Sequence, residues 1–246
     1  MKGVILAGGL GTRLNSLTRY VNKHLLPVGK EPMIFNPVKQ LISAGIDEIL
    51  IITSTEHMGA IVNTLGSGQK LGCSLTYKVQ ETPSGIAHAL MLAEGFVNGD
   101  QVVVILGDNI CDTSIKKNVD AFRKQNIGAR VLLKKVDDPV RYGVAAIDEK
   151  NIVEIVEKPS LPKSDYAVLG YYMYDNKVFD FIKKIKPSDR NELEITSVNN
   201  MYINNGELFY DILKGNWTDA GTFESLRLAN NILFAVDNNI QETENL

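Results

Sequence analysis

Charged residues that could act on a phosphate are spread along this 246-residue chain in short, separated segments. The first is Gly8-Gly9-Leu10-Gly11-Thr12-Arg13-Leu14, directly after the apolar run 4–7. Glycines after a strand let backbone N–H groups approach an anion, and an arginine adds a planar cationic fork. A plain glycine turn would look the same. The dinucleotide fingerprint fails here, because Leu14 stands where its third glycine belongs. The P-loop fails too, since it needs Gly-Lys-Ser/Thr where this chain has Gly11-Thr12-Arg13. Lys23 favours the phosphate reading. Arg13 and Lys23 together suit one polyphosphate, with residues 25–28 anchoring the lysine in the core.

Asp108 directly follows the apolar run 102–106, "VVVIL". Ligands of open α/β sheets lie beyond the carboxyl ends of strands. A carboxylate there suits a hard cation such as Mg²⁺ as well as it suits a turn or helix cap. Asp219, in "WTDAGT", is a second isolated carboxylate, with Thr222 placed to cap the helix that follows. "EKP" at 157–159 ends another strand-like run. Pro159 forces the chain out of regular structure and exposes Lys158, which is either a phosphate ligand or a solvated strand-end lysine. Glu157 is placed to accept hydrogen bonds from sugar hydroxyls. Glu194 in "ELEIT" reads as a helix-start cap. His24, His57 and His88 have no metal-ligand spacing, so no zinc site is expected. Cys73 and Cys111 read as free thiols of a reducing compartment.

The elements that must hold these groups follow from periodicity. Apolar runs of strand length at 3–7, 49–53, 75–79 and 102–106 alternate with helical-period stretches at 33–44, 57–65, 86–96 and 115–124. Alternation of this kind predicts βα units and a mainly parallel sheet. "VVVIL" lacks polar alternation, as a strand buried on both faces should. Pro32 fits the opening turn of the helix at 33–44, whereas Pro37 is awkward inside it. After about residue 128 the texture changes. Strands are predicted at 129–136, 143–148, 151–159, 167–175 and 208–212, and helices at 177–185, 194–205 and 223–236. The polar tail 238–246 reads as frayed. No linker-like run divides the chain, so one domain is expected, its second half decorating the first.

With 44% hydrophobic and 22% charged residues the composition is that of an ordinary globular protein. The net charge of −3 gives no basic surface for nucleic acid. No apolar run reaches membrane-spanning length. The run at 4–7 is too short for the core of a signal peptide. A cytoplasmic protein is expected, with neither nucleic acid nor membrane as partner.

Eight of these segments, "GGLGTRL…NKHLLPVGKEPM", "YKVQ", "LGDN", "RYGVA", "EKP", "SDYAVLGYYMYD", "NELEIT" and "WTDAGT", occur in the order of a known family. From residue 1 to about 236 the chain resembles the sugar-1-phosphate nucleotidyltransferases, most of all their short thymidylyltransferase branch. The resemblance implies an α/β fold, a Rossmann-like mixed, mainly parallel sheet flanked by helices. A nucleotide-binding part would span about 1–128 and a sugar-phosphate-binding lobe about 129–236. It implies that a nucleoside triphosphate (dTTP in that branch) and a sugar 1-phosphate (glucose 1-phosphate) give a nucleoside-diphosphate sugar and pyrophosphate, with Mg²⁺ as cofactor. Use of UTP or of another sugar, and a non-catalytic regulatory subunit, are the alternatives. Association of like chains stays open.

Carried onto this chain, the resemblance makes Arg13, Lys23 and Lys158 the catalytic cations. Leu6, Gly8, Gly9, Gly11, Thr12, Arg13, Gln80, Gly85 and Asp108 would bind the nucleotide, with Gln80 and Gly85 reading the base. Lys23, Asn109, Gly143, Glu157, Lys158, Val168 and Tyr172 would surround the sugar phosphate. Asp108 and Asp219 would hold the metal. His88 stands where the family often has Gln, Asn191 where it has Gly, Ser197-Val198 where Asp-Ile is usual, Cys111 where an aromatic is common, and Ser16 where proline is. Longer members carry a C-terminal helical extension with a regulatory nucleotide site.

Overall fold

The computed structural model describes residues 1–9 and 11–244. Its strands, in chain order, are β1 (Lys2–Ala7), β2 (Pro27–Val28), β3 (Glu31–Pro32), β4 (Glu48–Ser54), β5 (Ser74–Gln80), β6 (Val102–Leu106), β7 (Asn109–Cys111), β8 (Ala129–Lys135), β9 (Gly143–Asp148), β10 (Asn151–Glu157), β11 (Tyr166–Tyr174), β12 (Leu208–Ile212) and β13 (Trp217–Asp219). Nine of them form one mixed, mainly parallel sheet in the order β10-β9-β11-β6-β1-β4-β5, with β8 beside β11 and β12 beside β8. β1 pairs in parallel with β4 on one side and β6 on the other. The chain therefore winds outward in both directions from β1, and the carboxyl ends of β1 and β6 flank the crevice where such sheets bind ligands.

The strands read as doubly buried are so. Val4, Leu6, Val102 and Val104 enter one apolar cluster, Ile5, Ala7, Val103 and Ile105 the other. Helices cover both faces, which is why the sequence of β6 runs apolar without a break. The second half joins this sheet through β11. Its first residues pair with β8 and β9, and its last pair with β8 and β6.

Several expected boundaries move. Pro32 lies in the two-residue strand β3, not in a helix, and the helix is Phe35–Ser43. That places Pro37 in the first turn, where its missing N–H removes no helical bond. The stretch expected as one helix over 86–96 is two, Ile86–Met91 and Glu94–Val97. The first tightens into i→i+3 bonds at Leu92 and Ala93. The last helix, Phe223–Glu244, runs past the expected end at 236. Apolar periodicity marks only the packed part of a helix, and polar residues can extend it. Residues 245 and 246 of the tail lie outside the described residues, as does Leu10 of the glycine loop. Thr222 does cap this helix, accepting the Ser225 backbone N–H at 3.2 Å.

Candidate active site

The glycine loop leaves β1 and turns sharply at Gly11, whose φ of 65° lies in the left-handed region. A Cβ there would stand 2.8 Å from the Thr18 methyl and 3.1 Å from Lys23 Cβ, so glycine is required twice over. Leu14 is fully buried in a small cluster with Leu26, Val28 and Met33. It occupies the fingerprint's glycine position because it pins the loop. Arg13 stays exposed, and its guanidinium lies against Gly221 of the "WTDAGT" turn, where a Cβ would come within 2.7 Å of Nη2.

Lys23 and Asp108 form the centre. Lys23 Nζ lies 2.5 Å from Asp108 Oδ2, with side-chain exposures of 8% and 17%. Burial pushes the Asp108 carboxyl up, but the Lys23 ammonium, His24 and hydrogen bonds from Lys23 and Asn109 hold it well below the usual carboxylate range. His24, beside them, is lowered to about 3, first by burial and then by the Lys23 charge. Its tautomer is fixed. Asn22 Oδ1 accepts the His24 backbone N–H at 2.8 Å, so it is an oxygen and His24 Nδ1, 3.1 Å away, must carry the proton.

Asp219 reaches the same place from more than a hundred residues away. β13 pairs antiparallel with β7 so that Asp219 stands opposite Asn109, and the Ala220 N–H donates to the Asp108 carbonyl at 2.8 Å. The Asp219 carboxyl is raised, by burial first and next by the Asp108 charge; Arg141, Arg13 and a hydrogen bond from Tyr142 oppose this. The Asp108 charge penalises ionisation of Asp219, and a cation between the two carboxylates would relieve that penalty. Among the described residues no cluster of three or more His, Cys, Asp or Glu could hold a metal. Two hard oxygen donors fit Mg²⁺, which takes its remaining ligands from water and phosphate.

Two cavities meet at this pair. The larger, about 610 Å³, is lined by Gly9, Gly11, Thr12, Arg13, Asp219 and, from the second half, Gly143, Glu157, Lys158, Val168 and Tyr172. The smaller, about 240 Å³, is lined by Leu6, Gly8, Gly9, Gln80, Gly85 and Pro83 among others. Lys23 and Asp108 line both. Every residue singled out from the sequence for the site thus lines one or both cavities. Asn109 lines the larger, but its Oδ1 already accepts from the Gly170 N–H and from Trp217 Nε1, both at 2.9 Å, while its Nδ2 donates to Asp108. One N–H remains for a ligand. Gly170 must be glycine, since a Cβ would lie 2.7 Å from that amide.

Lys158 carries an unusual backbone, φ 42°, at the end of β10. Its N–H donates to the Tyr142 carbonyl at 2.9 Å. Non-glycine residues hold this conformation only when their surroundings impose it, and such strain gathers at functional sites. Its ammonium is 3.9 Å from Glu157 Oε1, and Glu157 Oε2 accepts from the Thr196 hydroxyl at 2.6 Å.

Several polar residues of the larger cavity carry no role in the sequence analysis. Arg141, Tyr142, Arg190 and Thr196 all line it. Three of them lie inside quoted segments, while Arg190 stands just before "NELEIT". Arg190 gathers carboxylates from Glu157 at 3.4 Å, Glu192 at 3.4 Å and Glu194 at 2.8 Å. Glu194 does stand at the N-cap position of the helix Ile195–Asn204, but its side chain makes no cap bond and instead accepts from Arg190 and Ser188. Both thiols are free, Cys111 buried and Cys73 partly so.

A family model described as nucleotidyl transferase matches residues 2–235. A glucose-1-phosphate thymidylyltransferase from Neisseria meningitidis is 45% identical over 242 residues, which is 97% of this chain and 84% of that protein. A solved structure from Bacillus anthracis, described as a provisionally assigned glucose-1-phosphate thymidylyltransferase in complex with sucrose, superimposes with a TM-score of 0.91 at 56% identity, covering 94% of each chain. A UDP-glucose pyrophosphorylase solved with UDP-glucose superimposes with a TM-score of 0.84 at 25% identity, over 95% of this chain and 98% of that one.

Proposed function

The chain belongs to the nucleotidyl transferase family, and from that premise we propose that it joins dTTP to glucose 1-phosphate, giving dTDP-glucose and pyrophosphate. The observation that carries this reading is the pair of cavities meeting at Lys23 and Asp108. One is walled by Leu6, Pro83, Ala89 and glycine backbone and suits a base. The other is rich in Arg, Lys and carboxylates and suits phosphates and a polyhydroxyl sugar.

The reaction needs no protein nucleophile. The anionic oxygen of the sugar phosphate forms a bond to the α-phosphorus, and the bond from that phosphorus to the bridging oxygen of the leaving pyrophosphate breaks. The protein's task is to bring two polyanions in line and to offset their repulsion. In this reading Arg13 and the loop backbone hold the β- and γ-phosphates. Lys23 and Lys158 neutralise the α-phosphate and the attacking phosphate. Glu157 accepts from sugar hydroxyls, and Arg190 and Thr196 keep it placed. Asp108 and Asp219 would hold Mg²⁺, which when bound supplies charge neutralisation at the phosphates. The proposed division of labour puts nucleotide binding on about 1–128 and sugar-phosphate binding on about 129–236, with Asp219 returning to the first part.

Pyrophosphate release with each of dTTP, UTP, ATP and GTP, with glucose 1-phosphate as acceptor and Mg²⁺ present, tests the reading. dTTP should lead UTP by about ten- to a hundredfold in kcat/KM, because one methyl and one hydroxyl carry only a few kcal/mol of discrimination. Both purines should be nearly inert, and chelation should abolish turnover. UTP in the lead would make the protein a uridylyltransferase. No release with any of the four would leave a nucleotide-sugar-binding subunit.

A further inference from the structure

Gln80 ends β5 and is 6% exposed on the wall of the smaller cavity. One end of its amide packs against backbone and the other meets a ring nitrogen. Oε1 lies against Gly8, where a Cβ would stand 2.9 Å away. Nε2 lies 3.0 Å from Nδ1 of His88. His88 is the third residue of the helix Ile86–Met91, and the start of that helix is fixed in place. The Ala87 N–H donates to the Leu193 carbonyl at 3.1 Å, and Gly85, at φ 96°, packs so closely that a Cβ would lie 2.5 Å from the same oxygen. The imidazole therefore stands on a rigid base beside the amide.

An amide can present its two ends to a ligand in either order, and the order decides which base edge it fits. A neutral imidazole whose Nδ1 carries only a lone pair accepts one Nε2–H. What remains for the cavity is Oε1 as an acceptor and the second Nε2–H as a donor. That pattern matches a ring N–H beside a carbonyl, the edge shared by thymine and uracil. Cytosine presents the opposite pattern, a bare ring nitrogen beside an amino group. Reading it would turn Oε1 toward the Nδ1 lone pair.

We propose that His88 is the positioning residue for base selection. By accepting from Gln80 Nε2 it holds the Gln80 amide in the orientation that reads a thymine or uracil edge and rejects cytosine. This rests on the assignment of the smaller cavity to the base. It also gives a reason for histidine in "SGIAHA", a position the catalytic reading leaves without a task.

The test measures kcat/KM for dTTP and dCTP at saturating glucose 1-phosphate in the full-length wild type, His88→Leu and His88→Gln. In His88→Leu the dTTP-over-dCTP ratio should fall by about tenfold, through a higher KM for dTTP, since a lost hydrogen-bonding partner on one edge is an effect of about that size. kcat and the KM for glucose 1-phosphate should change by less than about twofold. His88→Gln keeps an acceptor and should restore most of the ratio, which loss of packing alone would not predict. A His88→Leu enzyme with the wild-type ratio overturns the proposal. So does a wild type that prefers dCTP, since the amide would then be reversed. If no triphosphate turns over, the catalytic reading fails, and dTTP and dCTP binding by calorimetry on the same three proteins still decides the role of His88.

Discussion

Two lysine–carboxylate pairs border the larger cavity, and they are built in opposite ways. Lys23–Asp108 is tight, 2.5 Å, and withdrawn from water, with 8% and 17% of the side chains exposed. Lys158–Glu157 is loose, 3.9 Å, with 46% and 27% exposed. The first is embedded in backbone geometry: the Lys23 stem fills the space a Cβ on Gly11 would need, and Asn109 donates to Asp108 from the other side. The second hangs from a strained strand end. A buried pair cannot lose one partner cheaply, because the other is left charged and unsolvated. An exposed pair contributes little to stability and is free to trade its partner for a ligand. The difference teaches that the Lys23–Asp108 centre of the site is preformed, while the Lys158 side keeps a cation in reserve.

Removing each lysine breaks the comparison most directly. Lys23→Met should lower unfolding free energy by about 3–5 kcal/mol, as loss of one buried partner does. It should also cut kcat/KM by roughly a thousandfold, as loss of a preorganised charge does. Lys158→Met should leave stability within about 0.5 kcal/mol, since its pair is exposed, yet still cost activity by about ten- to a hundredfold. Urea unfolding together with steady-state kinetics on both variants reads all four quantities. Equal stability losses would erase the distinction.

The acid limb of stability sharpens it further. The folded protein keeps His24 neutral down to about 3, while the unfolded chain takes up that proton near its ordinary value of about 6.5. The unfolded state therefore binds more protons throughout that window. Stability should fall by about 1.4 kcal/mol per unit as pH drops through it. Below the ordinary carboxylate range Asp108 adds to the loss, because its depressed carboxyl favours the folded state only while ionised. Urea midpoints between pH 7 and pH 5 should show this slope in the wild type and a flatter one in His24→Gln. A wild-type midpoint independent of pH in that range would mean that His24 is not sealed off from protons.

The smallest expected effect separates strain from charge at Lys158. Glycine tolerates φ 42° without the side-chain penalty. Lys158→Gly should therefore be more stable than Lys158→Met by about 1 kcal/mol, while being no more active. Equal melting temperatures for the two would place the strain elsewhere.

Much of this was legible in the chain itself, for local reasons. Unbroken apolar runs announced doubly buried strands, and glycine followed by Arg13 and then Lys23 announced a cationic loop close to a strand end. Asp108 was placed at a carboxyl end by the strand before it. Those signals depend on near neighbours along the backbone, where periodicity and turn chemistry operate. They also misplaced Pro32 and joined two helices into one, because a tertiary hairpin and a tightened helix end leave no periodic trace. The meeting of Asp219 with Asp108 was decided by the register of β13 on β7, that of Glu157 with Arg190 by the packing of a loop on β10, and that of Gln80 with His88 by a helix held against Leu193. Each joins residues that are not sequence neighbours or whose orientation the sequence leaves free. Which such groups touch is chosen by strand register and close packing, and these exist only once the whole chain has folded.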